Sequence, residues 1–150
     1  MTNRDTVALT GKLIISLNGE IVQRVNNLVV TAGKNWVTSR MNAATAGVMT
    51  HMAIGTGTTA AAVGQTALVT EVARVALTTS GGSVSNNVIT YTATIPADTP
   101  DVTAPATAAI TEAGVFNANS AGTMLARTVF TAINKGELDT MTISWDITIS

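Results

Sequence analysis

Residues 140–149 read TMTISWDITI. Met141, Ile143, Trp145, Ile147 and Ile149 take every second position, with Thr140, Thr142, Ser144, Asp146 and Thr148 between them. A helix turns about 100° per residue and would spread these apolar side chains around its girth. A strand points successive side chains to opposite faces and gathers them on one. A half-buried strand over 139–149 is therefore expected, and its neighbours must present matching apolar faces.

Such neighbours recur along the chain. VALTGKLIISL (7–17) and EIVQRVNNLVV (20–30) flank Asn18-Gly19, and Asn-Gly between two apolar runs is a strong hairpin signal because both residues accept positive φ. Further strands are expected at 48–54, 72–79, 84–95, 108–116 and 123–133. Ser80-Gly81-Gly82-Ser83 reads as a hairpin turn, 117–122 and 134–137 as turns, and the three prolines fall in one surface loop, PADTPDVTAP, over 96–105. One segment has helical spacing: Trp36, Val37 and Met41 after Thr31 as N-cap, giving a short helix over 33–43 that ends near Gly47. The fold class expected is mainly β, an antiparallel β-sandwich or small barrel of jelly-roll or immunoglobulin-like type with one short helix. At 150 residues the chain suits a single domain. The hairpin within 1–30 packs either on that domain or on a neighbouring subunit.

Composition removes several function classes. Charged residues make up 11% of the chain and the net charge is −1. Lys12, Arg24, Lys34, Arg40, Arg74, Arg127 and Lys135 stand singly, whereas neutralising several phosphates needs a basic cluster, so no nucleic-acid partner is expected. No cysteine is present, which excludes a disulfide framework and a thiolate metal site. Apolar runs reach four to five residues, too short for a spanning helix, and MTNRDTVALTGK has no leader pattern. Threonine supplies 27 residues, and its β-branch favours pleated surfaces. A surface so poor in charge is weakly defended against association, which suggests an oligomer or assembly component.

The stretch HMAIGTGTTA (51–60) looks most like a site, since glycines and hydroxyls after a strand begin many phosphate loops. A Walker loop needs a Gly-Lys pair five residues after another glycine. Gly11-Lys12 has Thr6 at that place, and Gly33-Lys34 has Leu28 there with Asn35 where the hydroxyl belongs. The dinucleotide fingerprint fails at Ala60. The stretch reads better as a strand end leaving the sheet through Gly55 and Gly57, in turns that exploit glycine's access to positive φ. Thr56, Thr58 and Thr59 would then satisfy loop backbone groups.

His51 is the lone imidazole and lacks a Gly-x-Ser-x-Gly elbow or a second histidine, so it is read as structural. Asp98 and Asp101 lack the dense spacing of a calcium loop. Glu71, Glu112 and Glu137 are single carboxylates on separate elements, which gives no support to paired acid/base work. Trp36 and Trp145 are read as core, and Met41, Met49, Met52, Met124 and Met141 as core or interface filler. No catalytic, cofactor or metal residues are expected, and the chain is read as a non-enzyme without a small-molecule substrate.

Four strings carry a resemblance: LVVTAGKNWVTSRM, MTHMAIGTGTTAAAVGQTAL, EVARVALTT, and AAITEAGVF running on through LARTVF and the INKG turn to the C-terminal strand. In this order they resemble a family of small tailed-bacteriophage virion proteins, described as phage structural or tail-fibre-like proteins. The resemblance spans about residues 28–150, with 83–107 the most variable part. It implies a virion structural protein that assembles with itself and with other particle proteins, in the tail, baseplate, collar or fibre-attachment region. A capsid decoration (cement) protein on the head is the alternative, and a receptor- or carbohydrate-binding module a further one. The family brings no catalytic residues.

Overall fold

The computed structural model describes residues 5–42 and 47–150. Nine strands and one helix are formed among them: β1 (Leu9–Leu17), β2 (Glu20–Val29), α1 (Thr31–Met41), β3 (His51–Gly55), β4 (Glu71–Ala76), β5 (Ser83–Ser85), β6 (Val88–Ile95), β7 (Thr107–Phe116), β8 (Met124–Gly136) and β9 (Met141–Ile149). They make one antiparallel sheet in the order β4-β3-β7-β8-β2-β1-β9-β6-β5, curled into a half-barrel. This is the mainly β, sandwich-or-barrel architecture with one short helix that the alternation predicts.

The C-terminal strand organises the core. Trp145 stands between Leu13 of β1 and Tyr91 of β6, and Ile143 between Ile15 and Ala93, in cross-strand rows. All six are fully or almost fully buried. Burial pushes the Tyr91 phenol up to about 12. On the opposite face hydroxyls pair across the same strands: Thr90 Oγ1 donates to Asp146 Oδ1 at 2.6 Å, and Thr92 lies 3.5 Å from Ser144. The threonine alternation is therefore the outer face of the sheet. Ile149 falls on the same alternation as Trp145 but, as the last residue of β9, is 44% exposed.

Curvature comes from β2, which changes partner along its length. Residues 20–27 pair with β1, and Leu28 and Val29 pair with β8. Where the ladders diverge, side chains bridge them: Gln23 Nε2 donates to Thr131 O and Thr128 Oγ1 to Asn26 O. The far ends of the sheet meet through one backbone bond beside β4 and β6, from Thr78 N to Thr92 O at 2.8 Å.

The Asn18-Gly19 turn forms as expected, with φ of 50° and 84°. Three local expectations are corrected. Ser80-Gly81-Gly82-Ser83 turns sharply, with both glycines at positive φ, but is not a hairpin, because β4 pairs with β3 and β5 with β6. The turn instead carries the chain from one half of the sheet to the other. The expected strand 84–95 is itself a hairpin, folded at Asn86-Asn87 with Asn86 at φ 53°. Finally, β8 runs to Gly136, past the expected turn start at Asn134.

The helix begins at Thr31, with Val30 in the N-cap position and no side-chain cap. Thr31 is not the cap because the first amides find backbone partners elsewhere: Val30 N donates to Leu125 O, and Thr31 N to Val63 O. The helix end expected at 43 lies outside the described residues. Of the methionines read as core or interface filler, Met49, Met52, Met124 and Met141 are fully buried and Met41 is 86% exposed. Gly33 seats the helix on β8: a Cβ there would lie 2.0 Å from the Leu125 carbonyl oxygen. Gly33→Ala gains about 1 kcal/mol of helix propensity but drives a methyl group into the Leu125 backbone, and overpacking costs about 1–3 kcal/mol or more. The variant is expected to melt below the wild type in a thermal scan; an equal or higher Tm would show that the helix is not held this closely.

Candidate functional site

The segment following β3 is the place where the sequence suggested chemistry. It folds back over the outer face of β3 and β7, and Leu68 enters a small apolar cluster with Val30, Ala53, Phe116 and Met124. Beside that cluster, Glu112 projects from β7 into the segment. Glu112 Oε1 accepts from Gly57 N at 3.0 Å and Thr70 N at 2.7 Å, and Oε2 accepts from Val69 N at 3.0 Å. Arg127 of β8 donates to Oε2 from Nε at 3.0 Å and from Nη2 at 2.7 Å. Both side chains are wholly buried.

The register explains the meeting. Gly114 lies opposite Arg127, and Glu112 opposite Val129, so Glu112 and Arg127 are diagonal neighbours on one face. Gly114 leaves the space that Leu68 fills. Arg127 Nη1 donates to Gln65 Oε1 at 2.9 Å, and the same oxygen accepts from Ala62 N. Thr111 Oγ1 donates to Gly57 O, and Thr56 N to Thr70 O. The segment 56–70 is therefore wrapped around an anion, and the anion is the protein's own carboxylate.

This corrects the reading of the two glycines. Neither Gly55 nor Gly57 has positive φ. They are needed for room: a Cβ on Gly57 would lie 2.5 Å from Glu112 Oε1, and one on Gly55 would lie 2.4 Å from Thr70 O. The loop backbone is held by Glu112 and Thr111 rather than by the hydroxyls of Thr56, Thr58 and Thr59.

The remaining residues singled out in the sequence do not converge. His51 sits in β3 with Nδ1 2.7 Å from Thr50 Oγ1. Glu71 forms a bidentate pair with Arg74, whose guanidinium also caps Ala118 O and Ala121 O and stacks 3.8 Å over Phe116. Glu137 accepts from Ala104 N in the proline loop, and Asp98 adopts φ 59° there. Among the described residues no three His, Cys, Asp or Glu side chains gather as a metal site would require. Trp145 is buried in the core. Trp36 is only partly buried, donates its Nε1 proton to Gly47 O at 2.9 Å, and has the Arg40 guanidinium 5.9 Å from its ring. Trp36 and Val37 line an apolar groove of about 270 Å³ together with Val84, Ile89 and Ile149.

Sequence reasoning missed the Glu112–Arg127 pair and Lys135. Glu112 and Arg127 are lone charges inside apolar strand runs, and such charges are rarely buried unless paired, whereas Lys135 falls in the stretch read as a turn. Lys135 is 1% exposed and donates from Nζ to Pro96 O at 2.8 Å. Burial lowers its pKa, against the opposing pull of Asp139 and Asp98.

No protein-family model, no curated protein and no solved structure matches the chain.

Burial by itself would push the Glu112 carboxyl up. The amides of Thr70 and Val69, the Arg127 guanidinium and the Gly57 amide outweigh it, and the net displacement is downward. A carboxyl lowered in the folded state stabilises fully above its unfolded value, about 4.3, and that contribution is lost as pH falls through the folded value. Glu112→Gln leaves Arg127 buried without its counter-charge, and breaking such a pair costs about 3–5 kcal/mol. Urea unfolding at neutral pH should show this loss. Below about pH 4.3, the variant's stability should fall less steeply than the wild type's. Parallel acid profiles would rule out Glu112 as the titrating group.

Proposed function

We propose that the chain is a non-enzymatic structural component of a bacteriophage virion. It assembles with copies of itself and with other particle proteins, in the tail, baseplate, collar or fibre-attachment region. The observation that carries this reading is where the strings of the resemblance lie. AIGTGTT supplies Gly57, ITEAGVF supplies Glu112 and LARTVF supplies Arg127, and these three residues meet in one buried centre. INKG supplies Lys135, which ties β8 to the proline loop at Pro96. The strings that carry the resemblance hold the fold's internal fastenings, as a rigid structural role requires. The loop over 56–70, where the sequence suggested a phosphate site, is filled by Glu112.

A receptor- or carbohydrate-binding module is the second reading, favoured by the Trp36 groove. It predicts glycan-array binding that Trp36→Ala removes.

The deciding measurement is to find the chain in purified particles by mass spectrometry and then to locate its density in a virion reconstruction. Copies on the tail support the reading as stated, and copies at head symmetry axes would move it to the decoration alternative. Mature particles without copies would overturn it. The isolated protein should self-associate in size-exclusion chromatography with light scattering, and a monodisperse monomer at high concentration would count against an obligate oligomer.

A further inference from the structure

We propose that Asn18–Gly19 is a latent deamidation site that the fold holds closed through Asp139 and Thr140. The peptide is the least hindered one possible for this reaction, since glycine puts no side chain beside the attacking nitrogen. The Gly19 amide nitrogen gives its proton to hydroxide or water and attacks Cγ of Asn18. The N–Cγ bond forms, the Cγ–Nδ2 bond breaks, and the departing nitrogen takes a proton from water and leaves as ammonia, closing a succinimide ring. Water then opens the ring at one of its two carbonyls, yielding aspartate or isoaspartate at position 18. Water is the sole co-reactant, and no electrons are transferred.

Reaction requires the Asn18 side chain to swing back over its own backbone, and the structure pins it elsewhere. Asn18 Nδ2 donates to Asp139 Oδ1 at 2.8 Å, and Asn18 Oδ1 accepts from Thr140 N at 2.9 Å. The amide's orientation is fixed by chemistry, because a carboxylate can only accept and a backbone N–H can only donate. The backbone is fastened as well, with Asn18 N donating to Thr140 O at 2.8 Å. Asp139 is itself held, its Oδ2 accepting from Gly136 N at 2.8 Å. The turn is exposed, so water reaches it freely. What keeps Asn18 unreacted is the latch between the β1–β2 turn and the β8–β9 turn.

Conversion would also undo the latch. The new carboxylate would stand where Nδ2 stood, facing the Asp139 carboxylate with no proton to share. Like charges at that distance repel, and the two turns lose their side-chain tie.

The test uses the full chain, incubated in mildly alkaline buffer. The tryptic peptide between Lys12 and Arg24 is followed by mass spectrometry for amide-to-acid conversion and isoaspartate. Two hydrogen bonds must open before attack, so the folded wild type should react roughly tenfold or more slowly than the same chain unfolded in urea. Asp139→Ala, checked for a cooperative melt, should react faster than the folded wild type. Should that variant not fold, Asp139→Asn keeps the shape and one acceptor oxygen, and should fall between the two. Gly19→Ala should suppress conversion in the unfolded chain, which identifies the peptide. The proposal is overturned if folded and unfolded wild type react alike, or if folded Asp139 variants react no faster than wild type.

Discussion

One buried charge pair decides how half of this molecule is arranged. An isolated carboxylate in an apolar interior costs several kcal/mol after relaxation, so Glu112 can stay there only if nearly every lone pair is engaged. Arg127 supplies two donors, but a guanidinium on one side leaves the rest of the carboxylate unsolvated. The amides of Gly57, Val69 and Thr70 complete the shell. They can do so only if the chain between β3 and β4 returns over the outside of the sheet. The path of segment 56–70, the close approach at Gly55 and Gly57, and the burial of Leu68 all follow from that requirement. Replacing both charges with apolar groups would remove the cost and also the reason for the loop to fold there.

Much of the sheet was legible because alternation and turn chemistry are local. The run from Met141 to Ile147 announced its buried face, and Asn18-Gly19 its turn. Thr90, Thr92 and Thr94 marked the outer side of β6. Legibility failed where the deciding partner is distant in sequence. The Ser85-Asn86-Asn87 stretch resembles the interior of a strand, and only the pairing of β5 with β6 shows where the hairpin bends. The Gly81-Gly82 turn looked like any hairpin turn, and only the partners of β4 and β5 reveal it as a crossing between halves.

The carboxylate centre shows the same boundary more sharply. Reading Glu71, Glu112 and Glu137 as single carboxylates on separate elements said nothing of the partner each would find. The useful signal was a lone glutamate and a lone arginine in two apolar runs joined by the short turn at 117–122. Antiparallel register sets such residues diagonally on one face. Gly57 then fits as the third member, because glycine is required by proximity to another residue as readily as by its own backbone angle.

The partner change along β2 has a consequence for how the chain can assemble. The first hairpin is local and closes early, yet both of its edges await the last part of the chain: β2 needs β8, and β1 needs β9. Until residues 124–149 have emerged and docked, β1 and β2 present two rows of unsatisfied backbone groups to the solvent. Folding is therefore limited by pairings between the extremes of the sequence, and such non-local pairings are slow. In that interval the hairpin is a template that another chain's strand could occupy, so pairing between nascent copies competes with closure of the native sheet.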